Sequence, residues 1–312
     1  MQEVFLLTLD NVGSLLIYIS VGYLLRRKNL LPENAGKILS LLCVMIFTPA
    51  YYILNISKSM RLDVLLENTK LVGWGIGFII VAIILGKVLA KPLSRTPMEN
   101  SSLTYAFTFP NYGYFGYPVI EGVFGQAALG NFMIFAIPTS LMCSSYGYMQ
   151  FRQNERFRIV NMLKTPLVVS LIIGIVVGLT GIKLPGIVTG VLTGAKNCMS
   201  PCSMLLGGFM LGKFPLKDLL KGWRPYIYSA VRLIGIPVIF GAILLLVGME
   251  GRYLMMPLLV AGIPLGLNLV VYPESQGFEK QSSDNAKLCF VSYLLALLVL
   301  PITYAVLTHL VG

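Results

Sequence analysis

Apolar residues along the chain come in long blocks separated by short polar or charged connections. A helix rises about 1.5 Å per residue, so roughly 20 apolar residues cross the hydrocarbon core of a bilayer. Blocks of that order lie at about 4–25, 36–57, 70–90, 101–124, 128–150, 166–182, 186–212, 225–248, 253–273 and 286–310. The pattern predicts an all-α membrane protein with ten transmembrane helices. A connection at 151–165 divides them into an N-terminal five (1–150) and a C-terminal five (166–312). Two halves with an odd number of spans enter the membrane in opposite orientation, which is the arithmetic of two inverted five-helix repeats.

The fourth block violates its own pattern. From Tyr105 to Pro118 it holds two prolines, two glycines, an asparagine and four tyrosines inside an apolar run. Proline removes an amide donor and clashes with the preceding turn, so this helix must break. Broken backbone at membrane depth survives only where protein or a water-filled cavity satisfies the freed groups. The ninth block answers with Gly262-Ile263-Pro264-Leu265-Gly266-Leu267-Asn268. Breakers recur in the second block (Thr48-Pro49) and the seventh (Ser200-Pro201). Interrupted helices at corresponding places in two halves predict a substrate site between them.

Composition agrees with the membrane reading: 56% of residues are hydrophobic, 12% are charged, and mean hydropathy is +0.79. The net charge of +11 raises the question of nucleic acid. However, 18 of the 24 lysines and arginines fall on one alternate set of connections. By the positive-inside rule that side is cytoplasmic, both termini lie outside, and no nucleic-acid partner is implied. The N-terminus lacks a basic region and carries Glu3 and Asp10, so no cleaved signal peptide is expected. All five cysteines sit in apolar blocks; Cys198 and Cys202 have helical spacing but no histidine partners, and read as buried packing thiols, not a metal site. Gly186, Gly190 and Gly194, like Gly73 and Gly77, step at small-residue spacing and are expected to pack within the chain. Trp74 and Trp223 read as interface anchors. With His309 as the lone histidine, and no nucleotide-binding G-x-x-x-x-G-K-[ST] run, neither an intramembrane hydrolase nor an ATP-driven pump is expected.

The run Asn111-Tyr112-Gly113-Tyr114-Phe115-Gly116-Tyr117-Pro118, followed by Phe124-Gly125, resembles the N-x-G-x-x-G-x-P signature of the auxin efflux carrier family. That family includes plant PIN proteins and bacterial organic-acid permeases. Pro264-x-Gly266-x-Asn268 through Leu300-Pro301 is similar to its C-terminal block. The resemblance implies that the fourth and ninth helices unwind and cross near the bilayer midplane. It further implies a scaffold of helices 1, 2, 6 and 7, expected to form a homodimer, and a transport domain of helices 3–5 and 8–10 that moves elevator-fashion. The implied substrates are organic anions such as indole-3-acetic acid, malate or malonate. Two departures from plant members, Leu267-Asn268 in place of the crossover proline and Glu121 in place of a lysine, point to a prokaryotic branch.

Within this frame Asn111 is the first candidate for holding a carboxylate, aided by free backbone amides and the positive end of a half-helix. The alternative is an amide that satisfies the broken backbone. Asn268 is its counterpart in the other half, with bonding to the crossing strand as the alternative. Gly116, Pro118, Pro264 and Gly266 shape the crossover. Tyr112, Tyr114 and Tyr117 are positioned to stack on or bond a substrate, or else pack with satisfied hydroxyls. By the resemblance, Thr139 and Ser140 present polar groups to the substrate; hydroxyls bonded to their own helix are the alternative. Pro49, Asn55 and Ser200 are the candidates for the scaffold wall. Glu121 is a coupling candidate or a salt-bridged surface carboxylate, and Arg232 is expected to snorkel to the cytoplasm, with balancing an anionic substrate as the alternative. The expected function is gradient-driven secondary transport of a small organic anion across the cytoplasmic membrane, with no cofactor and with sodium or proton coupling left open. A sodium-coupled symporter of the bile-acid type and a ligand-sensing receptor are the competing readings.

Overall fold

A computed structural model of the chain describes residues 1–60, 62–151 and 164–311. Among these residues the structure is helical, without strands; one isolated antiparallel bridge joins Pro110 to Leu265. In chain order the main helices are α1 (Gln2–Arg27), α2 (Ala35–Ser59), α3 (Leu62–Leu93), α4 (Pro97–Thr108), α5 (Tyr112–Gly147), α6 (Pro166–Thr180), α7 (Gly186–Leu211), α8 (Arg224–Leu246), α9 (Gly251–Gly262), α10 (Asn268–Ser275) and α11 (Glu279–Val311). Six of the described helical stretches have the length and apolarity to cross a bilayer: α1, α2, most of α3, α5, α8 and α11. The protein is thus a multi-pass membrane protein. The connection expected at 151–165 lies, except at its ends, outside the described residues.

Helix boundaries follow local chemistry. Thr96 caps α4 by accepting from the Glu99 amide, and Pro97 occupies the first turn, where a missing N–H costs nothing. Thr165 and Pro166 start α6 in the same way, and Gly181, left-handed at φ 67°, ends it. The expected fourth and fifth spans run on as α5, with a kink at Gly125 (φ 79°, ψ 179°) that only glycine adopts without strain. Four π-helical turns interrupt the helices: Cys43–Phe47 in α2, Tyr112–Gly116 and Cys143–Gly147 in α5, and Val231–Gly235 in α8. In three of them a proline (Pro49, Pro118, Pro237) stands two residues beyond the turn. Its missing N–H and its ring displace the carbonyl ladder and widen the preceding turn.

Helix α1 packs on α7, and α2 on α6 and α7; α3 packs on α4 and α5, α8 on α9 and α11, and α10 on α11. The close α1–α7 contact depends on small residues. A β-carbon at Gly208 would lie 1.8 Å from the Ile19 carbonyl oxygen, and one at Gly22 would lie 2.1 Å from that of Leu205.

Three expectations about packing need correction. Gly186, Gly190 and Gly194, and equally Gly73 and Gly77, have nothing within 4 Å of where a β-carbon would sit, so they face outward. Their spacing marks a smooth surface; glycines that do pack against the chain's own helices include Gly22, Gly208 and Gly75. Cys198 is exposed and Cys202 half-buried on the same outward side of α7, whereas Cys43, Cys143 and Cys289 are buried. Trp74 stays near the start of the apolar stretch Lys70–Leu93, although α3 itself begins at Leu62, and it packs near Tyr253 at 6.4 Å between ring centroids. Trp223, 63% exposed at the start of α8, keeps the anchor position. Finally, Arg232 does not snorkel: it is 1% exposed.

Candidate functional site

The helix breaks after α4 and after α9 meet. Phe109–Asn111 and Ile263–Leu267 leave helical geometry, and the two segments run antiparallel at Pro110 and Leu265. The Asn111 amide donates to the Pro264 carbonyl at 2.8 Å, and the Leu265 amide donates to the Ser292 hydroxyl at 3.0 Å. Two interrupted backbones thereby satisfy each other with help from α11, as buried polar groups require. Gly116 gives the packing its closeness: a β-carbon there would lie 2.5 Å from Ile263 Cδ1.

Beside this junction lies a cavity of about 90 Å³. Its wall includes Asn111, Tyr112 and Tyr114 from the first break, and Gly266, Leu267 and Asn268 from the second. Thr48 and Tyr52 of α2, Cys143 and Ser144 of α5, and Met199 of α7 complete it. No charged side chain lines it. The start of α5 and the start of α10 border the space and carry the positive ends of the helix dipoles; at α10 the Leu269 and Val270 amides already donate to the Gly266 and Leu267 carbonyls.

The predicted residues divide around this cavity. Asn111 is buried in its wall, and its Nδ2 donates to the Tyr293 hydroxyl at 3.1 Å. Asn268, Tyr112 and Gly266 line it with Asn111. Pro264 and Pro118 shape the backbone around it, the first as acceptor for Asn111 and the second beyond the π turn. Tyr117 lies outside the lining, stacked on Tyr51 at 5.5 Å and hydrogen-bonded to Tyr52 at 3.0 Å. Thr139 and Ser140 are also outside it: Ser140 donates to the Ala136 carbonyl, and the Thr139 hydroxyl is buried without a partner. One turn further, Cys143 and Ser144 hold the place expected for them. On α2 and α7 the immediate neighbours of the predicted pair Pro49 and Ser200, namely Thr48 and Met199, reach the cavity.

Glu121 and Asn55 belong to a separate polar cluster. Lys196 Nζ lies 2.9 Å from Glu121 Oε1 and 3.4 Å from Asn55 Oδ1. Tyr51 donates to Glu121 Oε2 at 3.3 Å, and Gln126 donates to Asn55 at 3.3 Å. The cluster connects α5 to α2 and α7. Nothing in the sequence pairs Lys196 with these residues, since it stands 75 positions from Glu121.

Arg232, read from the sequence as snorkelling or as balancing an anionic substrate, is buried. Its guanidinium donates to the carbonyls of Phe107 (3.2 Å), Val260 (3.4 Å) and Ile263 (3.3 Å), the terminal carbonyls of α4 and α9. An arginine a turn inside an apolar block gives no sequence signal beyond its cost.

A larger cavity, about 870 Å³, opens at the end of the molecule where α4, α8 and α11 begin. Arg95, Lys221 and Lys280 rim it, and it contains the pairs Arg224–Glu99 (2.7 Å) and Lys287–Asp284 (2.9 Å). It shares no lining residue with the junction cavity and touches neither helix break. The smaller cavity is therefore the candidate site, because there backbone dipoles and unpaired amides converge.

The family profile described as membrane transport protein matches residues 8–304. An uncharacterized transporter of Methanocaldococcus jannaschii is 26% identical over 220 residues, 68% of this chain and 71% of that protein. One of Methanothermobacter thermautotrophicus is 24% identical over 313 residues, 97% of this chain and 100% of that protein. One of Schizosaccharomyces pombe is 30% identical over 90 residues, 29% of this chain and 20% of that protein.

Proposed function

The chain belongs to the membrane transport protein family, that of the auxin efflux carriers, and from this premise we propose that it is a secondary transporter of a small organic anion. The observation that carries the proposal is the uncharged cavity at the meeting of two helix breaks, faced by the positive ends of α5 and α10. A carboxylate there accepts from unpaired backbone amides and from the Asn111 and Asn268 side chains, without a competing acidic residue in the wall. The cavity is far below the roughly 300–1,000 Å³ of drug-sized sites. In this conformation it suits malonate or malate better than an auxin-like aromatic acid.

The proposed architecture is ten spans in two inverted halves, with α4 and the start of α5 as the broken fourth helix and α9–α10 as the broken ninth. The crossed breaks at matching places support it. Transport is elevator-like: the helices around the junction move as one body against a scaffold of α1, α2, α6 and α7. Helix α1 packs on α7, and α2 on α6 and α7, which supports the scaffold; the faces that must slide are those of α1 on α5 and α11 and of α2 on α5. The outward glycine stripe of α7, beside Ile187 at 85% exposure, is the proposed homodimer contact. The protein sits in the cytoplasmic membrane with its termini outside, on the distribution of basic residues.

Counterflow in proteoliposomes tests the function. Vesicles preloaded with unlabelled malonate are expected to accumulate labelled malonate through the wild type and not through Asn111→Ala. Binding without any exchange, for malonate and the other acids, would instead make the protein a receptor.

A further inference from the structure

Arg232 has no carboxylate partner, yet it is buried in the middle of the apolar protein. An isolated buried charge is among the costliest things a fold can hold. Here each of its three guanidinium nitrogens donates to a terminal carbonyl of one of two different helices, the last turn of α4 or the end of α9. Each helix C-terminus carries roughly half a negative charge, so two of them together approximate one counter-ion. The π turn Val231–Gly235 displaces the α8 backbone at this residue.

We propose that Arg232 is the resident cation of the junction: it neutralises the C-terminal ends of both interrupted helices and so gives the cavity its selectivity for anions. At a crossing of broken helices, the negative and positive half-helix ends lie close together and largely cancel. With the guanidinium on the negative ends, the positive ends at Asn111–Tyr112 and Leu267–Asn268 stay unbalanced, and no aspartate or glutamate lines the cavity to offset them. The anionic substrate supplies that missing charge. A sodium ion is not needed, because a side chain already provides the fixed positive charge. The inference rests on the cavity being the transport site and assigns the origin of its charge preference. Arg232 is a positioning residue, separated from the substrate by the crossed backbones.

The test uses full-length protein in detergent. Wild type, Arg232→Lys and Arg232→Gln are melted in sodium, potassium or N-methylglucamine chloride over a malonate titration. Lysine keeps the charge, whereas glutamine keeps an amide donor without it. Wild type is expected to be stabilised by malonate equally in all three salts. Arg232→Lys retains the response, and Arg232→Gln loses about tenfold or more in apparent affinity, the weight of one charge-assisted interaction. Equal affinity in the lysine and glutamine variants would overturn the proposal, as would a sodium requirement in the wild type. A second arm needs no acid: millimolar methylguanidinium is expected to raise the melting temperature of Arg232→Ala and leave the wild type unmoved. Absence of that rescue counts against Arg232. A wild type unmoved by every acid counts against the transport reading instead.

Discussion

Asn111 lines the cavity and is held at two points, its backbone N–H on the Pro264 carbonyl and one Nδ2 hydrogen on the Tyr293 hydroxyl, which leaves the second Nδ2 hydrogen to donate to a ligand. Replacement by alanine removes one partner of Tyr293, a buried-polar cost of about 1–3 kcal/mol. Asn111→Ala is therefore expected to fold with a lowered melting temperature and to bind no malonate by calorimetry. Tyr293→Phe, which frees the amide but keeps it, is expected to weaken binding less. Unchanged affinity in Asn111→Ala would remove this residue from the site. Glu121 is committed to Lys196 and Tyr51. Transport by Glu121→Gln is expected to keep the wild-type dependence on pH and sodium, with a stability loss of about 1 kcal/mol or less for a partly exposed pair. A changed ion dependence would restore a coupling role. Asn111 was legible in the sequence because a polar residue between prolines in an apolar block marks itself. Lys196 and Arg232 were not, since their partners lie on other helices: Lys196 is 75 residues from Glu121, and Arg232 is 125 from Phe107.

The breaks in α4–α5 and α9–α10 were readable for the same local reason: proline and glycine act on their own backbone. Pro49, Pro118 and Pro237 also explain why the helices widen into π turns, and the junction cavity or Arg232 lies at or next to each of these turns. Which face of a helix a small residue occupies is different information. Periodicity placed Gly186, Gly190 and Gly194 on one stripe of α7, but only the packed structure shows that stripe outward and Gly208 against α1. Gly208→Ala is expected to destabilise the protein by about 1–3 kcal/mol, because the added methyl meets the backbone of Ile19 and not a flexible side chain. Gly190→Ala is expected to leave thermal stability in detergent within about 0.5 kcal/mol. Equal losses in the two variants would contradict the packing described for α7.

At the scale of the whole molecule, the Glu121–Lys196 pair is one of several polar contacts between the proposed scaffold and the helices around the junction, and it links α5 to α7. The proposed movement of the junction against α1, α2, α6 and α7 must break that pair. Glu121→Gln and Lys196→Gln are each expected to change the rate of substrate exchange in the same direction, and the double variant to add little to either, as for two partners in one contact. Additive effects would place the two residues in separate roles. The number and length of the apolar blocks carried the membrane class, and the Asn111–Pro118 run carried the family resemblance. The electrostatic logic of the junction emerged only when the half-helix ends and Arg232 were seen together. The most direct test of that logic is thermal melting of the purified wild type and Asn111→Ala against a panel of organic acids, with and without sodium. A ligand that binds only the folded state raises the melting temperature. The expected result is stabilisation of the wild type by a small carboxylic acid, independent of sodium and absent in Asn111→Ala. Stabilisation that persists in Asn111→Ala, or that responds only to neutral or cationic solutes, would contradict an anion site at the crossed helix breaks.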